Sequence, residues 1–172
     1  MKRSLVVLSL LAFGASLNSC SNQVHAKHPV SYRFQHGKTA MIRDGIAYAP
    51  RNAPIAVKRA IAAGNRLQGK PYKWGGGHGN HHDNGYDCSG TTSYVLREAG
   101  LLRGSLTSNG YFNYGKKGAG DWITIYVRKG HVFMTVAGLR LDTGGGRDST
   151  GPMWKTATRP GKGHVMRHPS GL

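Results

Sequence analysis

The sequence predicts an α+β fold, in which helices early in the folded region pack on a small antiparallel β-sheet. Two segments with helix signals lie between residues 52 and 100, and short apolar runs divided by glycines follow from residue 122. Helices followed by a meander of strands is the order typical of α+β proteins. Without its first 19 residues the chain keeps 153, which is enough for one domain with a substantial core.

The first helix is predicted from its apolar spacing and from its end signals. Asn52 is a residue type that caps helices, and Pro54 fits a first helical turn. Gly69 and Pro71 mark the end of the segment. One arc of this helix carries the small and apolar residues Val57, Ala60, Ile61, Gly64 and Leu67.

A second helix is predicted to start at Cys88 and to stop at Gly100. A glycine-rich stretch over residues 75–85 leads into it. Beyond it, the strands are predicted from short apolar runs with glycines as turns: Trp122–Val127, His131–Ala137, Leu139–Asp142 and His164–Arg167.

The amino terminus has the features of an export signal. Two basic residues precede an apolar run, Leu5 to Leu17, that is too short to span a bilayer. The run ends in Leu17-Asn18-Ser19-Cys20, which resembles the lipobox of bacterial lipoproteins. This resemblance implies a signal peptide over residues 1–19 and a lipid on the Cys20 thiol. An ordinary secretory signal with an incidental Cys20 is the alternative.

The mature chain is expected to consist of a tether and one domain. Residues 20–50 are polar and lack sustained periodicity, so we predict a lipidated amino terminus followed by a flexible tether. Residues 51–172 form the predicted catalytic domain. Ser21 stands where an acidic residue would indicate inner-membrane retention, which favours an outer-membrane anchor facing the periplasm.

The chain has two cysteines, Cys20 and Cys88. Exported proteins usually pair their cysteines in disulfides. If Cys20 carries lipid, Cys88 has no partner in the chain, and an unpaired thiol in an oxidising compartment indicates a functional role. A Cys20–Cys88 disulfide is the competing interpretation.

The charge balance is strongly basic. The 24 lysines and arginines become 22 without the two in the signal peptide, and 7 acidic residues leave a net charge of +15. Such a field attracts polyanions, which for an exported protein are expected to be envelope anions such as the carboxylates of peptidoglycan stem peptides. The sequence has no nucleic-acid-binding motif, so nucleic acid is not an expected partner. A merely solubilising charge is the alternative.

Cys88 and His131 are candidates for nucleophilic catalysis. A cysteine at a helix start meets unpaired backbone N–H groups and the positive end of the helix dipole, which favour the thiolate and can hold an oxyanion. A cysteine nucleophile also needs an imidazole that takes its proton and returns it to the leaving amine. His131 follows Gly130 at a predicted strand start, where it is placed for that role.

Three segments together resemble the NlpC-type, papain-like cell-wall peptidases. They are Gly69-Lys70-Pro71-Tyr72-Lys73-Trp74-Gly75-Gly76, then Asp87-Cys88-Ser89-Gly90, then Gly130-His131-Val132. The resemblance covers residues 53–143 and keeps the order of the family's motifs. It implies a papain-like α+β domain with the nucleophile at a helix start.

The resemblance also implies an activity. Cys88 would be the nucleophile and His131 the base of an endopeptidase that hydrolyses peptidoglycan stem peptides through an acyl-enzyme intermediate. Tyr72 would line the oxyanion site, and Asp87 and Ser89 would bind the free amino end of the stem. The enzyme is expected to be monomeric and to need no cofactor or metal.

A third residue of the site orients the imidazole, and in the family it is commonly a histidine. The sequence leaves open which residue has this role here. If the turn before residue 139 has two residues, Asp142 lies opposite Phe133 and shares a face with His131. A turn longer by one residue would put Thr143 there instead. We prefer Asp142, because a carboxylate can stabilise the imidazolium; His164 is a third candidate.

Two other features leave alternatives open. His78, His81, His82 and Asp83 lie close in sequence, and we interpret them as a solvated rim of the substrate site rather than as metal ligands. We interpret the three tryptophans (74, 122 and 154) as core residues rather than sugar-stacking ones. The alternatives to a peptidase are an inactive peptidoglycan-binding lipoprotein and a thiol-dependent amidase or acyltransferase acting on another envelope substrate.

Overall fold

The computed structural model describes residues 22–144 and 150–172. Two α-helices and eight β-strands are assigned in this part of the chain, with one 3-10 helix at Gly110–Asn113. In chain order they are β1 (Met41–Arg43), β2 (Ile46–Tyr48), α1 (Ile55–Arg66), α2 (Cys88–Glu98), β3 (Lys116–Lys117), β4 (Ile123–Arg128), β5 (His131–Val136), β6 (Leu139–Asp142), β7 (Met153–Lys155) and β8 (Val165–His168). The predicted signal peptide and Cys20 lie outside the described residues.

One antiparallel sheet carries the domain, with strand order β3-β8-β4-β5-β6-β7. The helices α1 and α2 pack against each other and on β5, so the sheet and the two helices enclose one core. The α+β class expected from the sequence is confirmed. The four predicted strands are present as β4, β5, β6 and β8, with ends that differ by at most one residue.

The core explains why the apolar residues of α1 lie on one arc. Val57, Ala60 and Ile61 are buried against the sheet and α2. Burying a large aliphatic side chain contributes about 1.5–3 kcal/mol. Gly64 lets the indole of Trp154 lie against the helix, because a Cβ at this position would be 2.3 Å from a ring carbon.

The β5–β6 turn fixes the register that the site needs. Ala137 and Gly138 have φ values of 45° and 73°, and a type I′ turn requires positive φ at both central residues. Val136 pairs with Leu139, and Met134 pairs with Leu141. The predicted two-residue turn is therefore confirmed.

Two details of the predicted helices and core are wrong. Asn52 does not cap α1, because the chain turns at residues 51–53 and the helix begins after Pro54, with no side-chain hydrogen bond at the cap. Trp74 is not a core residue, since 87% of it is exposed, whereas Trp154 is buried and Trp122 partly buried.

The described part of the predicted tether, residues 22–50, is folded onto the domain. The Ala26 N–H donates to the His164 carbonyl at 2.8 Å, and the segment exchanges backbone hydrogen bonds with Arg159 through Val30. The β1–β2 hairpin buries Ala47, whose backbone N–H and C=O both bond the side chain of Asn65. Flexible coil is the wrong description here, because small apolar residues and backbone pairing attach the segment to the sheet and to α1.

No helix in residues 22–144 and 150–172 is long and apolar enough to cross a membrane.

Candidate active site

Cys88 is the first residue of α2 and is half-buried. Asp87 caps the helix: its Oδ1 accepts from the Gly90 N–H at 2.6 Å. The N–H groups of Cys88 and Ser89 have no acceptor within the helix by its geometry, so they are the donors nearest the thiol. Cys88 is a free thiol in the part of the chain that the structure describes. Its placement matches the helix-start position predicted from the sequence.

Gly90 allows the chain before the helix to approach the first turn of α2. A Cβ at Gly90 would lie 1.9 Å from the backbone oxygen of Gly76. The Gly75 N–H donates to Asp87 Oδ2 at 3.0 Å, and the Asp87 N–H reaches the Gly76 carbonyl at 3.4 Å. The two glycine-containing motifs are therefore joined through one capping carboxylate, which holds the start of the helix against the preceding loop.

His131 begins β5, and its side chain is only 7% exposed. The imidazole Nε2 lies 3.1 Å from Asp142 Oδ1, and the Cys88 thiol lies within hydrogen-bonding reach of the ring. Because Nε2 is taken by Asp142, Nδ1 is the nitrogen left for the thiol. Burial lowers the pKa of His131, but the hydrogen bonds with Asp142 and Cys88 and their negative charges outweigh it, so the pKa is raised.

Asp142 is fully buried at the end of β6 and has three cationic or basic neighbours. Its Oδ2 accepts from Arg140 Nη1 at 2.5 Å and from Arg159 Nη1 at 2.8 Å, while Oδ1 faces His131. Burial raises the pKa of Asp142, but the hydrogen bond with His131 and the charges of the two arginines lower it below its ordinary value. The carboxylate is therefore ionised and fixed in orientation.

The structure separates the three candidates for the third position. The β5–β6 register, continued by one pair, places Asp142 opposite Phe133 and on the face of His131. The Thr143 hydroxyl donates instead to the Gly144 carbonyl at 2.9 Å. His164 Nδ1 lies 3.1 Å from the Gly161 carbonyl, and its ring packs edge-on against Phe133. Asp142 is the candidate that contacts His131.

The three residues expected at the substrate and oxyanion sites lie beside Cys88. Burial raises the pKa of Tyr72, and the negative charges of Cys88 and Asp87 raise it further, so the phenol keeps its proton. Asp87 and Ser89 are buried, and the Ser89 hydroxyl donates to Asp87 Oδ1 at 3.0 Å. Asp87 and Ser89 thus stabilise the first turn of α2. Their contact with substrate stays a prediction.

Three residues that the sequence reasoning did not assign to the site belong to its surroundings. His78 Nε2 lies 3.2 Å from Asp87 Oδ1 and 3.1 Å from Ser89 Oγ. Arg140 and Arg159 bind Asp142, as given above. His78 lies in the segment interpreted as a rim. Arg140 is two residues before Asp142 on β6, so strand alternation is a local signal for that contact, whereas Arg159 is 17 residues from Asp142 in sequence and has no local signal.

The loop over residues 78–83 does not form one site. Asp83 bonds Lys73 at 2.8 Å and the Gly77 N–H at 3.1 Å, while His78 turns to Asp87. His81 and His82 lie against Tyr94 of α2 and next to Glu98. The four residues interpreted as one rim therefore divide into three separate sets of contacts.

A sequence model of the NlpC/P60 family matches residues 69–159, more than half of the 172 residues. The chain belongs to the NlpC/P60 family. The matched range begins just before Tyr72 and ends at Arg159, so it contains Cys88, His131 and Asp142.

Among solved structures, this NlpC/P60 chain is similar to two variants of the resuscitation promoting factor interacting protein RipA. Each is 22% identical and covers 76% of this chain and 72% of its own, with TM-scores of 0.48 and 0.45. No curated protein matches the chain.

Proposed function

We propose that the protein is a peptidoglycan endopeptidase that cleaves amide bonds in stem peptides, with Cys88 as nucleophile, His131 as base and Asp142 as the residue that orients the imidazole. Membership of the NlpC/P60 family supports the peptidoglycan-hydrolase class. One observation supports these residue roles: the thiol at the start of α2, the imidazole of His131 and the buried carboxylate of Asp142 follow one another in contact. The thiol lies within reach of the imidazole, and the carboxylate lies at the imidazole Nε2.

The acylation step uses the raised pKa of His131. The imidazole takes the proton of the Cys88 thiol, and the thiolate attacks the carbonyl carbon of the scissile amide. The oxyanion of the tetrahedral intermediate would accept hydrogen bonds from the Cys88 N–H and from the Tyr72 hydroxyl. The imidazolium then gives its proton to the leaving amine, the C–N bond breaks, and a thioester to Cys88 remains.

Deacylation returns the site to its starting state. A water molecule replaces the departed amine. His131 takes a proton from this water as the water oxygen attacks the thioester carbon. The C–S bond breaks, the imidazolium returns its proton to the Cys88 thiolate, and the stem peptide leaves as a carboxylic acid. Through both steps Asp142 holds the ring and stabilises the positive charge on it, which is the role a buried carboxylate has in other triads.

Substrate recognition is proposed to use the positive net charge of the protein and the residues at the start of α2. The net charge of +15 attracts the stem-peptide carboxylates. Asp87 and Ser89, with His78 beside them, would receive the free amino end of the stem. The enzyme is proposed to be exported by a signal peptide at residues 1–19 and to be anchored in the cell envelope by lipid on Cys20. An anchor in the outer membrane, facing the periplasm, is favoured.

The deciding experiment is the release of soluble peptides from purified peptidoglycan, followed by mass analysis. The wild-type protein should release stem-peptide fragments, and Cys88→Ala should release none while keeping the circular dichroism of the parent. A matched alkylation assay with a thiol probe at neutral pH would report the thiolate independently. A reactive Cys88 without any released peptide would indicate an amidase or acyltransferase with another substrate, and an unreactive Cys88 would indicate a binding protein.

A further inference from the structure

Outside the candidate active site, His81, His82 and Glu98 form a cluster that the proposed reaction does not use. Each residue offers one metal-ligating atom, and these three atoms lie within 4.8 Å of one another. His81 Nε2 and Glu98 Oε1 are only 2.6 Å apart. Two imidazoles and one carboxylate thus meet between the loop before Cys88 and the last turn of the helix that Cys88 begins.

The cluster is held in place by residues of the loop and of α2. The His81 ring stacks on Tyr94 with centroids 4.7 Å apart, and the His82 ring meets Tyr94 edge-on at 5.9 Å. The buried Tyr86 fixes the loop backbone, because its hydroxyl donates to the His81 carbonyl at 2.8 Å and accepts from the Asp83 N–H at 2.9 Å. Little rearrangement is therefore needed to bring the three donors to one ion.

Hydrogen bonds among the described residues orient the cluster but leave one of its buried ring nitrogens without a partner. Arg66 binds Glu98 Oε2, which orients the carboxylate so that its other oxygen faces His81. His81 Nδ1 is buried and has no hydrogen-bond partner among the residues that the structure describes.

We propose that His81, His82 and Glu98 bind one divalent transition-metal ion, with Zn²⁺ as the representative. Imidazole and carboxylate are ligands that Zn²⁺ takes with three protein donors and an open fourth position. Ca²⁺ and Mg²⁺ are disfavoured, because they need six or more oxygen ligands and the cluster offers one carboxylate. The ion replaces the proton shared by His81 and Glu98, and Arg66 stays on the outer carboxylate oxygen as an orienting partner.

The bound ion would tie the loop that carries His78 and Asp83 to the end of α2. Besides the His78–Ser89 contact at the start of α2, this loop is held to the helix by the Arg97–Gly77 hydrogen bond, the stacking of His81 on Tyr94 and the His81–Glu98 hydrogen bond. A metal bond in place of that hydrogen bond makes the loop more rigid without involving Cys88. This proposal does not depend on the peptidase activity.

The experiment is a calorimetric titration of Zn²⁺ into the full chain carrying Cys88→Ala and no oligohistidine tag. Cys88→Ala removes the thiolate, which with His131 is an alternative zinc ligand. We expect one site of 1:1 stoichiometry, weakened at least about tenfold by His82→Ala and by Glu98→Gln, since each loses a ligand. His28→Ala, which removes an exposed histidine, is the matched control and should bind as the parent does.

A thermal melt with and without Zn²⁺ gives a second measurement that needs no activity. The Cys88→Ala parent and the His28→Ala control should melt at a higher temperature with Zn²⁺, and the His82→Ala variant should not. His82 is exposed and its ring meets the rings of His81 and Tyr94 edge-on, so this variant is expected to fold. Absence of Zn²⁺ binding in the parent, or unchanged affinity in both His82→Ala and Glu98→Gln, would overturn the proposal.

Discussion

Asp142 is fully buried, and its carboxylate faces two arginines as well as a histidine. A buried carboxylate is costly unless it is paired and hydrogen-bonded. Arg140 and Arg159 supply that pairing on Oδ2, which leaves Oδ1 for His131. The arginines therefore keep the carboxylate ionised and also moderate its attraction for the imidazolium proton.

The pKa shifts at this site have opposite consequences for stability. The folded-state pKa of His131 is raised, so its protonation stabilises the fold fully below about pH 6.5, and this contribution is lost as the pH rises through the folded pKa. The pKa of Asp142 is lowered, so its contribution is present above about pH 4 and is lost as the pH falls through the folded pKa. Both contributions are present together only at mildly acidic pH.

Asp142→Asn should lower kcat/KM by about 10- to 1,000-fold, because the ring loses its orientation and its counter-charge. It should also move the acidic limb of the pH profile to lower pH, because His131 must be neutral to take the thiol proton and the carboxylate no longer raises its pKa. The measurement is kcat/KM against pH on a soluble stem peptide. Thr143→Val is the matched control. A silent Asp142→Asn together with a damaging Thr143→Val would contradict the assignment.

Arg159→Met should move the same limb in the opposite direction. Without this guanidinium the negative charge of Asp142 is less neutralised, so the pKa of His131 should rise and the acidic limb should shift to higher pH. Arg140 remains to keep Asp142 ionised. Arg159→Lys retains the charge and should give a smaller shift. A limb that stays in place, or that follows Asp142→Asn to lower pH, would show that Arg159 has no electrostatic effect on His131.

At the scale of elements, the parts predicted from sequence are those with local signals. The capped helix start at Cys88 and the two-residue turn at Ala137 and Gly138 both come from neighbouring residues, and the turn then determines that Asp142 faces His131. Arg140 precedes Asp142 by two residues on β6, so strand alternation places both side chains on one face. Arg159 comes from the chain after β7, and only the tertiary fold brings it to Asp142. No pattern in one segment predicts the Arg159–Asp142 contact.

The β1–β2 hairpin is different, because the sequence carries a turn signal for it but no strand signal on either side. Asp44 and Gly45 have φ values of 50° and 77°, and Asp-Gly is among the strongest signals for a two-residue hairpin turn. Arg43 pairs with Ile46 across it. The strands have only three residues each, which is too short for the alternation test that identifies longer strands.

Gly90→Ala tests the packing of the helix start against the preceding loop. The added Cβ would be 1.9 Å from the Gly76 oxygen, so loop and helix must separate, at a cost of about 1–3 kcal/mol of folding free energy. We expect a lower denaturation midpoint and a loss of peptide release, because Cys88 and the Asp87 cap shift together.

Gly79→Ala is the matched control for this variant. Gly79 lies in the same glycine-rich segment, and an added Cβ there meets nothing within 4 Å. Its stability and its activity should stay close to those of the wild type. Equal stability of Gly90→Ala and Gly79→Ala would show that the close approach of the loop to the helix is not needed.

For the whole molecule, the charge predicts how the protein is retained on its proposed substrate. Binding of the Cys88→Ala protein to insoluble peptidoglycan should weaken steeply as salt increases, because the screening length falls from about 30 Å at 0.01 M to about 8 Å at 0.15 M. The assay is sedimentation of the protein with the insoluble wall over this range. Binding that is flat with salt would assign retention to shape and local contacts instead of the +15 field.

The folded amino-terminal segment changes what a lipid on Cys20 would do. The Val24 carbonyl accepts from the Met166 N–H of β8 at 2.7 Å, so the chain is attached to the sheet four residues after Cys20. Four extended residues span at most about 14 Å. A lipidated Cys20 would therefore hold the domain close to the membrane surface, rather than at the end of a thirty-residue coil.

Cys20→Ser should leave the protein soluble or its signal peptide uncleaved, because stable anchoring needs two acyl chains and the thiol that would carry them is gone. Cell fractionation with a fatty-acid label is the test, and the purified variant should still react with a thiol probe at Cys88. Wild-type protein found soluble and unlabelled would contradict the lipid anchor. The peptidase proposal would stand in that case, because it rests on Cys88, His131 and Asp142 and not on a lipid at Cys20.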